Sequence, residues 1–412
     1  MPVGANRTDH DAVLKDFYLG GARNVLNNEI FLLSQLETNT QDIEGREAVL
    51  DLNISRNQGV GSRAELADLP DPGRQGHVNV RTKLKYHYLR IQLSGQVIRD
   101  TKSDQGSFTR EVTSEMNGGV RDLKNDLARQ CYGDGTGVIA LASGAAAGSV
   151  IPLAGASKQT IAQFGVGMLL DFGSTAATPG DLGTRIPVTA INRAAPSITV
   201  GATLGGTALG TLTATSRISR SGSGGTGATQ SELTGLKAQI SNTGPLFGID
   251  PAVQPDWASQ VIPGGPVAES YFIEAEQEVN MASGETLDLW ITTALVHRKV
   301  AALLQSDKRF PGTTELKGGY TGLDMSSVMQ ANTGANTTTL TFDKDMVETG
   351  VAYGISTNRM MVYSNSDWEW MQEDGAVLDR VPNKDAYGAT LFAYKELGTD
   401  GRNAHAKITG LT

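Results

Sequence analysis

The sequence predicts a mixed α+β protein with more than one domain. Three stretches indicate this class: a long amphipathic helix, a pair of alternating strands before it, and a later run of short strands separated by turns. The chain has 412 residues, which favours two or three domains over one. Because 39% of its residues are apolar and 19% are charged, it can build hydrophobic cores and is not disordered as a whole.

Apolar residues recur at helical spacing through Ser107–Tyr132. The stripe consists of Phe108, Val112, Met116, Val120, Leu123, Leu127 and Cys131. Steps of three or four place all of them on one face of an α-helix, and we predict that the first six form the core beneath it. Ser107 is expected to cap the helix, and Gly133 to end it. Gly118 and Gly119 are expected to bend or loosen it, at about 1 kcal/mol each relative to alanine.

Two strands precede the helix. The first lies near residues 48–55, and the second keeps one apolar face through Val78, Val80, Thr82, Leu84, Tyr86 and Tyr88. The opposite face is polar and largely cationic, with His77, Asn79, Arg81, Lys83, Lys85 and His87. After Tyr88 the pattern changes phase to Leu89, Ile91 and Leu93, which predicts a bulge or a change of environment. Residues 57–76 are rich in glycine and proline, so they form the tip of a long hairpin.

The hairpin differs in charge from the rest of the chain. Residues 46–102 contain ten Lys or Arg and six Asp or Glu, a net charge of +4, whereas the whole chain carries −9. A basic ribbon on an acidic body predicts docking between copies, with the apolar face on a neighbour and the cations against its acidic groups. A polar face that is merely solvated is the alternative.

Residues 140–228 contain only seven charged side chains among 89 residues. Short strands separated by glycine, proline and alanine predict a small β-rich insertion, and a Gly/Ser-rich segment predicts a flexible exit from it. An adhesive or decorating surface module is an equally good interpretation. From residue 230 onward the pattern is again mixed, with two predicted helices and then strands to the C-terminus.

No catalytic, cofactor or metal motif is recognisable in the sequence. The histidines are scattered without a metal-binding spacing, at His10, His77, His87, His297 and His405. His87 and His297 are expected to be polar surface residues or satisfied histidines rather than ligands. Gly133–Gly137 follows a helix rather than a strand, which favours a helix-ending turn over a phosphate loop. A nucleotide-dependent enzyme would rest on this turn alone, and we predict that the protein is not an enzyme.

Two other features are interpreted as structural. Cys131 is the only cysteine, which excludes an intrachain disulfide, and its place on the stripe predicts a buried core residue. Acidic residues surround two tryptophans near the C-terminal end, and the residues concerned are Asp367, Trp368, Glu369, Trp370, Glu373 and Asp374. We interpret them as an acidic interface loop with buried tryptophans rather than as a carboxylate pair for sugar chemistry.

The order of these stretches resembles the major capsid proteins of tailed double-stranded DNA bacteriophages, which have the HK97 fold. The likeness rests on the GVGSRAE tip, on LSGQVIRDTKSDQGSFTREVTSEM running into a helix that ends in CYGDGTG, and on SDWEWMQEDGAVLDR followed by AYGATLFAYKELGTDGRNAHAKITGL. It covers most of the chain, and residues 140–228 match least.

The resemblance implies a division of the chain. The expected parts are an N-terminal arm (1–46), an E-loop hairpin (47–102), a P-domain spine helix (103–139), the β-rich insertion (140–228), an A-domain (229–345), and the end of the A-domain with the C-terminal P-domain strands (346–412). It places inter-subunit contacts on the E-loop at Arg81, Lys83, Leu84, Lys85, Tyr86 and Tyr88.

The resemblance also implies a function. The expectation is a structural protein, made in the host cytoplasm, whose hexamers and pentamers form the icosahedral shell of a virion around double-stranded DNA. Its partners would be other copies, scaffold, portal and decoration proteins, and the phosphates of DNA, with no cofactor and no membrane. Alternatives are an encapsulin-like compartment and a β-rich surface or adhesion protein, although the missing signal peptide counts against the latter. No stretch of about 18 apolar residues predicts a membrane span.

Overall fold

A computed structural model of the chain describes most of its length. The described ranges are 19–96, 105–201, 212–306, 313–316, 320–324, 338–372 and 379–412, except residues 56, 58, 66, 67, 156, 157, 176, 227 and 228. Residues 1–18 of the predicted N-terminal arm lie outside these ranges.

Helices and strands alternate irregularly along the chain, as expected for an α+β protein. The helices are α1 (Leu19–Asn28), α2 (Phe31–Gln35), α3 (Gln105–Gln130), α4 (Lys158–Ala162), α5 (Leu236–Gln239), α6 (Glu269–Ser283) and α7 (Ala294–Ser306). The first eleven strands are β1 (Glu37–Asn39), β2 (Ile43–Glu44), β3 (Glu47–Ser55), β4 (Gly76–Lys83), β5 (Lys85–Ser94), β6 (Val138–Leu141), β7 (Val150–Pro152), β8 (Leu169–Gly173), β9 (Gly183–Asn192), β10 (Ser197–Val200) and β11 (Arg217–Arg220). The remaining strands are β12 (Gln260–Pro263), β13 (Leu289–Thr292), β14 (Thr313–Leu316), β15 (Tyr320–Asp324), β16 (Thr339–Phe342), β17 (Ala352–Ile355), β18 (Met360–Ser364), β19 (Glu369–Trp370), β20 (Asp379–Arg380), β21 (Ala386–Thr399) and β22 (Ala406–Thr409).

The central sheet is organised around the long strand β21. This strand pairs antiparallel with β5, β18, β19 and β20, and β1 adds to β18 in parallel. Its register with β5 runs through ten residue pairs, from Ala386 opposite Ser94 to Lys395 opposite Lys85. Strands from both ends of the sequence are therefore joined in one sheet.

Helix α3 shares the main hydrophobic core with this sheet. Of the predicted stripe, Met116, Val120 and Leu127 are buried and Leu123 is half-buried against the same core. The side chains of Phe108 and Val112 lie outside the described residues. The short N-terminal helices α1 and α2 also contribute to this core, with residues such as Leu26 and Leu32, so they dock on their own chain.

Two details of α3 differ from the sequence-based expectation. The helix begins at Gln105, so Ser107 lies within its first turn instead of capping it. Helix ends inferred from sequence are commonly displaced by a residue or two. The helix is assigned without interruption through Gly118 and Gly119, and a Cβ on Gly119 would lie only 3.0 Å from a methyl carbon of Leu89. Glycine at this position therefore lets β5 pack closely against the helix.

A seven-stranded sheet forms a second layer, in the order β12-β22-β17-β13-β16-β15-β14. Helices α6 and α7 bury Phe272, Val279, Val296 and Val300 in its core, where the ring centroids of Phe272 and Trp290 are 5.0 Å apart. The last strand, β22, lies in this sheet, so the chain changes sheets after β21.

The turn before β22 explains that change of sheet. The buried guanidinium of Arg402 donates hydrogen bonds to the carbonyl oxygens of Gln239, Gly244 and Ala238, at 2.9, 2.9 and 3.0 Å. These bonds hold the short 3₁₀ turn at Arg402–Ala404 against the segment after α5, and the chain passes from there into the second sheet.

A six-stranded sheet between Val138 and Arg220 has a hydrophobic core of its own. Its order is β6-β11-β8-β9-β10-β7, and fully buried members of its core include Ile151, Leu170, Phe172 and Ile198. The low charge of this stretch follows from this small separate core and from its many turns.

The chain leaves and re-enters the main body at nearly the same point. Gly235 packs so closely that a Cβ there would lie 2.4 Å from the carbonyl oxygen of Gln130. Nearby, buried Arg129 bonds the carboxylate of Glu232 at 2.6 Å and that of Asp126 at 3.1 Å. Arg220, on β11, reaches the same Asp126 at 3.4 Å. This charged network joins the end of α3, the returning segment and the inserted sheet.

Removing one member of the buried pair should destabilise the protein strongly. In Arg129→Leu the Glu232 carboxylate would remain buried without its cation, a situation that costs about 3–5 kcal/mol. Arg220→Leu removes a cation that is 43% exposed and should cost about 1 kcal/mol or less. Urea unfolding of both variants measures the difference, and equal losses would show that the Arg129 pair does not carry this junction.

Candidate inter-subunit interface

The ribbon formed by β2, β3 and β4 is the first candidate surface. Its strands β3 and β4 pair from Glu47 opposite Lys83 to Ser55 opposite Gly76. The apolar side of β4 is covered by the same chain, because Val80 is fully buried and packs with Leu246 and Trp257. The expectation that this face would dock on another copy is therefore wrong for Val78 and Val80.

The alternation of apolar and polar residues predicted the change of phase after Tyr88, which is too far along the chain. It occurs at Leu84, between β4 and β5, where pairing switches from β3 to β21. Leu84 is buried and its N–H donates to the carbonyl of Arg46. Beyond it, Lys85 and His87 point inward and Tyr86 and Tyr88 point outward, the reverse of the prediction. The change of strand partner, which polarity does not reveal, sets the new burial pattern.

Two of the exposed cations of the ribbon, Arg81 and Lys83, belong to the predicted polar face of β4. Both flank Glu47, with nitrogen–oxygen distances of 3.6 and 3.8 Å, and both side chains are largely exposed. Lys85 does not belong to this cationic face, because its Nζ donates to the carbonyl of Gln230 at 2.8 Å in a partly buried setting. The structure thus separates three cations that the sequence placed together.

An aromatic patch covers the outer face where β5 meets β21. We define it as Tyr86, Tyr88, Phe392 and Tyr394, which form two directly opposed cross-strand pairs. The rings of Tyr86 and Tyr394 meet edge to face at a centroid distance of 4.9 Å, and Phe392 and Tyr394 lie 5.2 Å apart. Tyr86 and Tyr88 remain 46% and 51% exposed. Tyrosine is well suited to contacts between proteins, because it combines apolar area with a polar tip.

The hairpin tip adds isolated apolar side chains. Val60 and Leu69 are 83% and 85% exposed, and they stand among exposed polar residues. A groove of about 570 Å³ separates the ribbon from the body and is lined in part by Gln75, Gln254 and Trp257. The ribbon is therefore packed on the body at its root and open to other molecules towards its tip.

Titratable groups lie buried beneath the aromatic patch. Burial lowers the pKa of His87 to about 4, although the nearby Asp126 carboxylate acts in the opposite direction. Burial raises the pKa of Glu396 to about 7, although Lys85 and the backbone N–H groups of Thr234 and Leu397 favour its ionised form. The sequence placed His87 on the polar face of the second strand, and that placement is wrong because the residue lies beyond the change of strand partner.

The other features singled out in the sequence are structural in this fold. Gly135 and Gly137 have φ angles of 78° and 77° in the turn after α3, in keeping with a helix-ending turn. Cys131 is buried, and burial raises the pKa of its thiol. Trp368 and Trp370 are buried, while Glu373 and Asp374 lie outside the described residues.

Among the residues that the structure describes, no group of three or more His, Cys, Asp or Glu side chains is arranged to hold a metal ion. None of the helices there combines the length and the apolarity that crossing a bilayer requires.

Comparison with solved structures identifies the fold. A subunit of the cyanophage A-1(L) capsid matches over 100% of this chain and 97% of its own, with a TM-score of 0.52 at 12% sequence identity. The class of fold is therefore the HK97-like fold of phage capsid subunits, which confirms the predicted fold class. No family model matches the chain, and no curated protein matches it.

Other solved structures are less similar. The holo-SrpI encapsulin complex from Synechococcus elongatus gives a TM-score of 0.45 at 9% identity, covering 93% of this chain and 88% of the other. Mycobacterium phage Bobi gives 0.42 at 9% identity and covers 99% of each chain.

The buried histidine predicts a pH dependence of stability. Because folding lowers the pKa of His87 from 6.5 to about 4, only the unfolded chain takes up this proton at mildly acid pH. The stability that neutral His87 contributes is therefore present above pH 6.5 and is lost as the pH falls to about 4. Over this range the free energy of unfolding should fall by about 1.4 kcal/mol for each pH unit. Urea unfolding of wild type and His87→Gln from pH 7.5 to 4 measures this, and the two curves should converge as the pH falls. A constant separation would contradict the prediction.

Proposed function

We propose that this chain is a major capsid protein, whose copies assemble into the closed icosahedral head shell of a phage and enclose double-stranded DNA. The observation that carries the proposal is the match to a capsid subunit over 100% of this chain and 97% of the other. A match limited to one sheet would be weaker support for this function, because the proposal uses the ribbon, the long helix and both main sheets as parts of the shell subunit.

In this proposal the parts of the chain have separate tasks. The central sheet and α3 form the rigid P-domain, the seven-stranded sheet forms most of the A-domain, and the ribbon is the E-loop. The sheet between Val138 and Arg220 is an insertion that leaves and returns at one point. The work is mechanical rather than catalytic, and the protein's place is the virion.

The contacts between copies are proposed on the surfaces left open by the fold. Arg81 and Lys83 would face acidic groups of a neighbour, and the aromatic patch would supply apolar area next to them. Leu84 and Lys85 are assigned to the subunit itself, since both are engaged within the chain. Each contact is weak alone, but closed symmetry repeats it at every copy.

The partners inside and outside the shell belong to the same proposal. DNA would be contacted through its phosphates without sequence preference, and scaffold, portal and decoration proteins would be further partners. The net charge of −9 fits a shell that contains DNA without adhering to it over the whole surface.

Electron microscopy of the purified full-length chain tests the proposal. Closed particles of uniform diameter, or rings of five and six copies, are expected under assembly conditions. Monomers alone, across a series of protein and salt concentrations, would contradict it. Shells isolated from producing cells should protect DNA from nuclease, whereas shells that hold only cargo protein would favour a compartment of the encapsulin type.

Charge reversal on the ribbon should impair assembly. The double variant Arg81→Glu and Lys83→Glu replaces attraction by repulsion at every proposed contact. The fold should persist, because both side chains are largely exposed. Light scattering should show little assembly at low salt and partial recovery towards 1 M salt, where the Debye length is about 3 Å.

The matched control for this charge reversal lies in the insertion. Lys158→Glu with Arg193→Glu changes the net charge equally at two exposed positions, one on α4 and one in the turn after β9. These variants should assemble like wild type. Equal loss of assembly in both pairs would mean that net charge, and not the ribbon contact, is responsible.

Removing the exposed aromatic rings should have a salt-independent effect. The double variant Tyr86→Ser and Tyr88→Ser removes the apolar surface of two side chains that are each about half exposed. Phe392 and Tyr394 stay in place. The double variant should remain folded by circular dichroism and assemble poorly at every salt concentration, because apolar contacts are not screened. Normal particles would show that the patch faces solvent in the shell.

A further inference from the structure

The groove between the ribbon and the body has the polar lining of a ligand-binding site. Its volume of about 570 Å³ lies within the range of about 300–1,000 Å³ that is usual for small-molecule sites. Five of the residues that line it carry a side-chain amide, namely Asn53, Asn57, Gln75, Gln254 and Asn403. They belong to the ribbon, to the segment before β12 and to the turn before β22, so three separate parts of the chain converge on one cavity.

The charges of this lining disfavour an anionic ligand. Asp256 and Asp400 both line the groove, and none of the described residues that line it is a lysine, an arginine or a histidine. The Asp400 carboxylate is held in place by Arg359, whose Nη1 donates to its Oδ2 at 3.1 Å. A phosphate or sulfate ester would meet these carboxylates without a cation in the lining to offset them. The ligand class is therefore neutral or cationic.

The amide groups offer donors and acceptors side by side. Nδ2 of Asn53 donates to Oε1 of Gln75 at 2.7 Å, which leaves, among the described contacts, the Asn53 carbonyl to accept and the Gln75 amino group to donate. Nδ2 of Asn403 donates to the carbonyl of Ala282 at 3.3 Å, and its Oδ1 remains to accept. An ammonium group can only donate, so it would not satisfy the Gln75 amino group. A hydroxyl group both donates and accepts, and it suits each of these positions.

A buried tryptophan in the lining adds a donor without a partner. Trp257 is only 3% exposed and packs with Val80, yet its indole N–H has no hydrogen-bond partner among the described residues. Buried donors in native proteins are rarely left in that state. Because Trp257 lines the groove, a ligand oxygen beside it can accept this hydrogen bond. Leu52 and Val60 give the same groove an apolar wall, against which the C–H face of a sugar ring can pack.

We propose that this groove binds a neutral oligosaccharide. The amides of Asn53, Gln75 and Asn403 form hydrogen bonds with its hydroxyl groups. The exposed Asp256 carboxylate accepts from a pair of neighbouring hydroxyls, and the indole N–H of Trp257 donates to a ligand oxygen. This binding goes beyond the proposed role in a shell and does not depend on assembly.

An extended peptide is the nearest alternative ligand, because its backbone also donates and accepts hydrogen bonds. Its N–H donors are spaced along the strand, so they do not readily form the adjacent pair of donors that a carboxylate binds with both oxygens. Neighbouring hydroxyls of a sugar ring form that pair directly. The carboxylates of the groove therefore favour the sugar over the peptide.

A glycan array probed with the purified, fluorescently labelled full-length chain tests the proposal. The array carries neutral oligosaccharides, their sialylated and sulfated counterparts, and neutral peptides of similar length. We expect binding to at least one neutral oligosaccharide, with a weaker signal on its charged counterparts and on the peptides. The proposal is overturned if no neutral oligosaccharide binds, or if the charged glycans or the peptides bind as strongly or more strongly.

A matched pair of double variants locates the site. Asn53→Ala with Asp256→Ala removes one amide and one carboxylate from the groove, both at exposed positions. Calorimetric titration with the neutral oligosaccharide that gives the strongest array signal should show an affinity about 10-fold weaker than that of wild type. The control, Asp122→Ala with Asn125→Ala, removes the same two residue types from exposed positions of α3 and should bind like wild type. Equal affinities of the two double variants would contradict the proposed site.

Deoxy analogues of the same oligosaccharide give a second readout. Each analogue lacks one hydroxyl, and a site that forms hydrogen bonds with hydroxyls should reject the analogue whose missing group it binds. In Asp256→Ala the loss of affinity should disappear for the hydroxyls bound by Asp256 and persist for the others. If every analogue binds like the parent sugar, or if Asp256→Ala leaves every loss unchanged, the proposal is wrong.

Discussion

Ten residue pairs between β5 and β21 hold this fold together, because their ladder joins a strand near the N-terminus to one near the C-terminus. β21 also pairs with β18, β19 and β20, so the central sheet cannot form without it. One side of the ladder buries Ala389, Leu391 and Ala393 in the core shared with α3, and the other side presents the aromatic patch. The contacts are almost all distant in sequence, and the loop closure that such contacts require slows folding.

Sequence patterns were informative wherever burial follows a local period. The stripe of α3 predicted the burial of Met116, Val120 and Leu127, and the alternation of β3 and β4 predicted a hairpin. Patterns failed where a distant partner changes the burial of a polar residue. Lys85 is drawn inward by the carbonyl of Gln230, and Arg129 is buried by Glu232, which lies 103 positions further along the chain. No local period encodes such partners.

The interface was foreseen only in outline. Arg81, Lys83, Tyr86 and Tyr88 are exposed as an interface requires, but their faces were grouped wrongly, and half of the aromatic patch was not foreseen. Phe392 and Tyr394 stand two residues apart on a predicted strand, a spacing that marks one face. Only the register of β21 with β5 places them opposite Tyr88 and Tyr86 and so reveals a continuous surface.

A high-resolution cryo-electron microscopy reconstruction of assembled particles tests the central claim most directly, namely that the surfaces left open by one chain are completed by its neighbours. The account predicts that a neighbouring copy covers Tyr86 and Tyr88 and places carboxylates within about 4 Å of Arg81 or Lys83. A closed shell in which these side chains remain in solvent would contradict the proposed interface. Failure to find any closed particle would contradict the proposed function itself.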